Sequence, residues 1–129
     1  MPNANKRKGD QEERDVLAVL RGNGFPHAER TRPGRMEDHG DIFVTRTAGL
    51  TPGVIAQVKN VRTPVWSEWV GQLANQKARS GALVAFLTHR ITRPGGKPPI
   101  RLAVMELAAF TELLRAAGYG DPLDTKDHQ

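Results

Sequence analysis

Residues 82–90, "ALVAFLTHR", open with six consecutive apolar residues. A strand of this kind has two apolar faces, which belongs in the interior of a sheet that is covered on both sides. The rest of the chain has to supply that cover. Residues 10–24 carry Val16, Leu17, Val19 and Leu20 at helical spacing and stop at "GNG". Asp10 suits the helix cap, and Glu12 and Glu13 suit the positive end of its dipole. Residues 63–81 begin with turn chemistry and continue as a helix with Trp66, Trp69, Val70 and Leu73 on one side. Residues 108–120 form a closing helix.

Between these helices lie further strand signals. "HAER" (27–30) is a candidate short strand, and "TRPGRMEDHG" (31–40) a basic, turn-rich loop. "DIFVTR" (41–46) is a strand, followed by a turn at 47–53. "GVIAQVKNV" (53–61) alternates as a strand with two unlike faces, ending near Asn60. "IRLAVMEL" (100–107) is the last strand, after a loop at 91–99. The order helix, strands, helix, strand, strand, helix predicts an α/β fold, a mixed sheet flanked by helices. The 129 residues suit one domain at 10–120. A flexible basic amino terminus at 1–9 and a flexible tail at 121–129 complete the expected organisation.

The absence of Cys excludes disulfides, thiolate metal sites and a Cys nucleophile. The four His lack metal-ligand spacing. The opening residues are basic and lack an apolar core, so no secretory signal and no membrane association are expected. A cytoplasmic location follows as an expectation. The net charge of +5 suits a polyanionic partner, with nucleic acid foremost. Cations cluster at Lys6, Arg7 and Lys8, at Arg30, Arg32 and Arg35, and at Arg90, Arg93 and Lys97. Such groups position phosphates without reading bases. A solvated surface explains the last cluster equally well.

Gln57 and Lys59, two apart on one strand, leave the same face. A hairpin turn at 47–53 brings Asp41 beside them. Glu13 sits on the first helix at the margin of its apolar stripe, with Glu12 further round. Carboxylates beside an amide oxygen and an ammonium suit Mg²⁺, a hard cation that prefers oxygen ligands and keeps several waters. On a phosphodiester such an ion neutralises charge, activates water and steadies the leaving oxygen. Lysine complements it by orienting water and offsetting charge in the transition state. Mn²⁺ is an alternative ion. His39 can assist proton transfer, although an exposed loop residue is the simpler reading.

The segments "KRKGDQEERDVLAVLRGNGFPHAER", "DHGDI", "PGVIAQVKN" and "SGALVAFLTHR" resemble the PD-(D/E)xK nuclease superfamily. Within it they are most similar to archaeal-type and phage Holliday junction resolvases. The resemblance covers about the first two thirds of the chain. It implies a restriction-endonuclease-like fold, with Glu13 as the helical acid, Asp41 as the strand acid and Gln57-Val58-Lys59 as the E-x-K strand. It also implies metal-dependent cleavage of branched DNA, chiefly four-way junctions, by a homodimer. Metal would be held by Glu13, Asp41 and Gln57, and DNA by Lys6, Arg7, Lys8, Arg30, Arg32 and Arg35. The family usually has Glu where this chain has Gln57. Three readings stay open: a tolerated variant ligand, compensation by another acid such as Asp38, or a weakened site in a protein that still binds DNA. Nucleases of the same fold that act on flaps, single strands or nicks are the nearest alternative.

Overall fold

The structure, a computed structural model, describes residues 4–31, 40–46 and 52–123. It contains α1 (Ala4–Gly22), β1 (Glu29–Arg30), β2 (Ile42–Arg46), β3 (Pro52–Lys59), α2 (Trp66–Ser80), β4 (Val84–Ile91), β5 (Ile100–Val104) and α3 (Leu107–Ala116). The strands form one sheet in the order β1-β2-β3-β4-β5. Only the β3–β4 pair is parallel; the other three pairings are antiparallel. The chain is therefore α/β, a mixed five-stranded sheet flanked by three helices. No helix among the described residues is long and apolar enough to cross a membrane.

The two helical layers follow from alternation along the central strands. Ile42, Val44 and Ala56 join Val16 and Leu17 of α1 in one apolar cluster. Phe43, Ile55 and Ala85 join Leu73 of α2 in another. Neighbouring residues of β2 and β3 thus point to opposite faces, as the two-residue period of a strand requires. Leu87 on β4 is fully buried, consistent with an interior strand covered on both sides.

α1 begins at Ala4, well before the Asp10 cap read from the sequence. Lys6, Arg7 and Lys8 therefore lie in the helix's opening turns. Cations are unfavourable near that positive end, which is why the sequence pointed to a later start. Asp10, freed from capping, instead accepts a hydrogen bond from Arg30 Nη2 at 2.9 Å. The 31–40 loop, Arg32, Arg35, Asp38 and His39 within it, most of the 47–53 turn and most of the tail lie outside the described residues, apart from their flanking positions.

The ion pair that ties α1 to the far edge of the sheet involves Glu12. Its side chain is only 2 % exposed. Arg101 on β5 donates to both carboxylate oxygens, Nε to Oε2 and Nη2 to Oε1, each at 2.9 Å. Arg90 Nε approaches Oε1 at 3.6 Å. The bonded carboxylate holds the Arg101 guanidinium above its ordinary pKa, against the opposing effect of burial. Two-point pairing of this kind offsets the desolvation of a buried charge; one partner alone does not. Arg101→Ala is expected to destabilise the protein by about 3–5 kcal/mol in urea unfolding, because Glu12 is left buried without its main partner. Replacing both residues by Leu and Met should recover much of that loss; an equal loss in the double variant would mean that the pair is not what the fold requires.

Candidate active site at the β2–β3 corner

The site begins with backbone geometry. Gly40 has φ of +89°, and a Cβ there would meet Ala56 O at 3.3 Å. Glycine is the residue that takes this turn without strain against a neighbouring strand. The turn delivers Asp41 to the start of β2. Asp41 N donates to Ala56 O at 3.0 Å, and Thr31 N donates to Asp41 O at 2.9 Å. The carboxylate then continues the ladder: Asp41 Oδ2 accepts from Val58 N at 2.8 Å. The strand acid is thus fixed against the backbone between Gln57 and Lys59.

Face assignment follows from register. Phe43 pairs with Ile55, and both lie under α2. Stepping by two along each strand puts Asp41, Gln57 and Lys59 on that same α2 face. Gln57 Oε1 is buried and has no hydrogen-bond partner among the described residues. A buried carbonyl oxygen without a donor is costly unless a cation or water meets it. Lys59 Nζ donates to Gln72 Oε1 at 3.0 Å and lies 5.4 Å from the centroid of the Trp69 ring. Gln72 in turn donates from Nε2 to Glu68 Oε1 at 3.4 Å. Helix α2 therefore grips the ammonium by an amide and an aromatic face from adjacent turns, a geometry that also supplies cation–π attraction.

Glu13 approaches from the other layer. Its carboxylate accepts from Arg30 Nε at 3.0 Å, and its side chain is 20 % exposed. Arg30 lies on β1, opposite Ile42 and so one residue from Asp41 along the neighbouring strand. The structure joins Asp41, Gln57 and Lys59 in one corner and shows Glu13 engaged by Arg30 beside it. Arg30 also bonds Asp10, so its charge is directed at two α1 acids. Its guanidinium pKa is raised: burial opposes the shift, and Glu13 and Asp10 together outweigh it. Lys8 is exposed near the opening of α1, and Arg7, also exposed, takes part in further interactions. No group of three or more His, Cys, Asp or Glu that could hold a metal occurs among the described residues.

Two features escaped the sequence. The fully buried acid of α1 is Glu12, not Glu13; the signal was Arg101, a lone cation in the apolar strand "IRLAV". The second is Gln72, which presents its amide oxygen to Lys59 and which no local sequence pattern marks. Trp69 is buried, whereas Trp66 is partly exposed; their rings meet edge to face at 5.3 Å and both contact His89. No family model, no curated protein and no solved structure matches this chain at a significant level.

Burial raises the Glu13 pKa above its ordinary value of 4.5; Arg30's charge and hydrogen bond pull against this, and Asp10 adds to the rise. The fold accordingly prefers protonated Glu13. That preference is fully expressed below the ordinary value and is lost as pH rises through the higher folded value. Carboxyl-carbon NMR should give Glu13 a midpoint above 4.5, and Arg30→Met should move it higher still. A midpoint below the ordinary value would mean that Arg30 governs the group more than burial does.

Proposed function

We propose that the protein is a metal-dependent DNA endonuclease of PD-(D/E)xK type with a restriction-endonuclease-like fold, acting on branched DNA and best described as a four-way-junction resolvase. The observation that carries this reading is the β2–β3 corner: a carboxylate locked by Val58 N, an orphaned amide oxygen and a lysine held by α2. The α/β sheet order and the quoted sequence segments support it.

The donor set fits a single Mg²⁺, or Mn²⁺, held by Asp41 and the Gln57 amide oxygen. Mg²⁺ sites of this kind use one or two carboxylates, with waters and substrate phosphate completing the shell. When bound, the ion supplies charge neutralisation at the scissile phosphate and a more acidic water. The chain does the remainder. Asp41 keeps its position because its oxygen is committed to the β3 backbone. Lys59 orients water and offsets charge that develops on the phosphate oxygens. Glu13, once released from Arg30, adds a second carboxylate from the α1 side. Lys6, Arg7 and Lys8, with Arg30, Arg32 and Arg35, hold flanking phosphates.

A resolvase cuts two strands symmetrically, and a C2 homodimer provides two equivalent sites. β5 is an edge strand, α3 buries none of its residues, and Leu107 is 76 % exposed, which supports an apolar surface for a second copy. A second reading, a DNA-binding module without catalysis, is favoured by one specific observation: Gln57 stands where a carboxylate is usual while Glu13 is already paired.

The test is incubation of labelled four-way junctions, flaps, nicked duplexes, single strands and linear duplexes with Mg²⁺, Mn²⁺ or chelator, followed by mapping of cuts. Metal-dependent paired cuts in the junction are expected; salt-sensitive binding with no product would establish the module reading instead. Asp41→Asn keeps an oxygen for Val58 N–H, so it should fold normally, abolish cleavage and leave junction binding largely intact. Loss of binding as large as the loss of cleavage would remove Asp41 from the catalytic role. Gln57→Glu should lower the Mg²⁺ concentration required; an unchanged metal titration would place Gln57 away from the ion.

A further inference from the structure

At the carboxyl ends of the parallel β3–β4 pair lies a cleft of about 600 Å³. Lys8 from α1, Arg62 from the segment after β3, Arg90 from β4 and Arg93 from the following loop line it, together with Asn60 and His89. Four cations meet there, and no acid is among the described residues that line it. Like charges converge at a cost unless an anion joins them, and the crevice beyond the carboxyl ends of parallel strands is a common ligand position.

Arg90 shares the buried Glu12 with Arg101, and the other three charges have no acid partner among the described residues. Neither Lys8 nor Arg62 makes an ion pair among the described residues, and both are exposed. Arg90 Nε has no hydrogen-bond partner among the described residues and lies 3.6 Å from Glu12 Oε1, a carboxylate whose two oxygens Arg101 already bonds; Arg90 Nη1 donates to Thr92 Oγ1 at 3.3 Å. Arg93 gives its Nε to Pro98 O at 2.7 Å, which braces the loop without neutralising the guanidinium. His89 is 5 % exposed, and its Nδ1 is buried with no hydrogen-bond partner among the described residues. It pairs in register with Lys59, so the cleft adjoins the candidate active site.

We propose that this cleft is a phosphate site, which seats one backbone phosphate of a nucleic-acid strand whose neighbouring phosphate lies at Lys59. The phosphate chemistry stands on the cleft alone. Only the identity of the carrier as a nucleic-acid strand rests on the functional reading above.

Two measurements on the full chain test it. In the first, inorganic phosphate is titrated while backbone amide and imidazole NMR signals are followed. Shifts at residues 60–62 and 89–93 and in the His89 ring are expected. In the second, fluorescence anisotropy of a single-stranded oligonucleotide is recorded across a salt series for wild type, Arg62→Gln and the Arg62→Gln/Arg93→Gln double variant. Loss of one phosphate contact should reduce the salt slope by about 0.7. Arg62→Gln keeps the test sound if the double variant melts early, because Arg62 is exposed and makes no ion pair among the described residues. Phosphate shifts with no oligonucleotide binding would uphold the cleft as a phosphate site and discard the nucleic-acid carrier. Oligonucleotide binding with an unchanged slope in both variants, and no phosphate shifts in the cleft, would overturn the proposal.

Discussion

The hydrogen bond from Val58 N to Asp41 Oδ2 is the constraint on which the candidate site depends. A carboxylate there takes over the acceptor role that a backbone carbonyl would fill in a longer β2. The sheet gains a satisfied donor, and the strand acid gains a fixed position. Gly40 makes this possible, since its positive φ turns the chain where a Cβ would crowd Ala56 O. Structure and site are thus served by the same two residues. The cost is local: Gln57 Oε1 remains buried beside this arrangement with no donor among the described residues.

A second constraint separates two kinds of charge. Glu12 and Arg101 form a buried pair that joins α1 to β5 across the sheet. Glu13, the next residue of α1, and Arg30, on β1 at the opposite edge of the sheet, form a more exposed pair on the Asp41 side. Neighbouring acids on one helix therefore have different tasks. The more buried pair ties α1 to β5, and the more exposed one ties α1 to β1. Lys59 shows the same economy, because Gln72 and Trp69 hold it without a neutralising carboxylate.

The sheet was legible in the sequence because period-two alternation and the double-faced apolar run each admit few arrangements. The adjacency of Asp41 to the Gln57–Lys59 strand was legible for the same reason: a hairpin fixes which residues meet. Helix registers were harder. Glu12 and Glu13 differ by one position, and the apolar stripe of Val16, Leu17 and Leu20 flanks both. What decided the outcome was Arg101, which lies near the other end of the chain, and no local pattern links the two. The start of α1 was misplaced because Lys6, Arg7 and Lys8 oppose the helix dipole, a local preference that the fold overrides. The convergence of Arg62 and Lys8 with Arg90 and Arg93 was likewise invisible, since only the parallel crossover brings those segments together.

The central claim is that Asp41 and Gln57 hold a divalent cation beside Lys59. Paramagnetic broadening by Mn²⁺ tests it without requiring a substrate. Added in small steps to isotope-labelled protein, Mn²⁺ should first bleach the signals of Asp41, Gln57, Val58 and Lys59, and excess Mg²⁺ should restore them. Broadening that begins elsewhere, or that spreads evenly over the surface acids and leaves this corner sharp, would contradict the account.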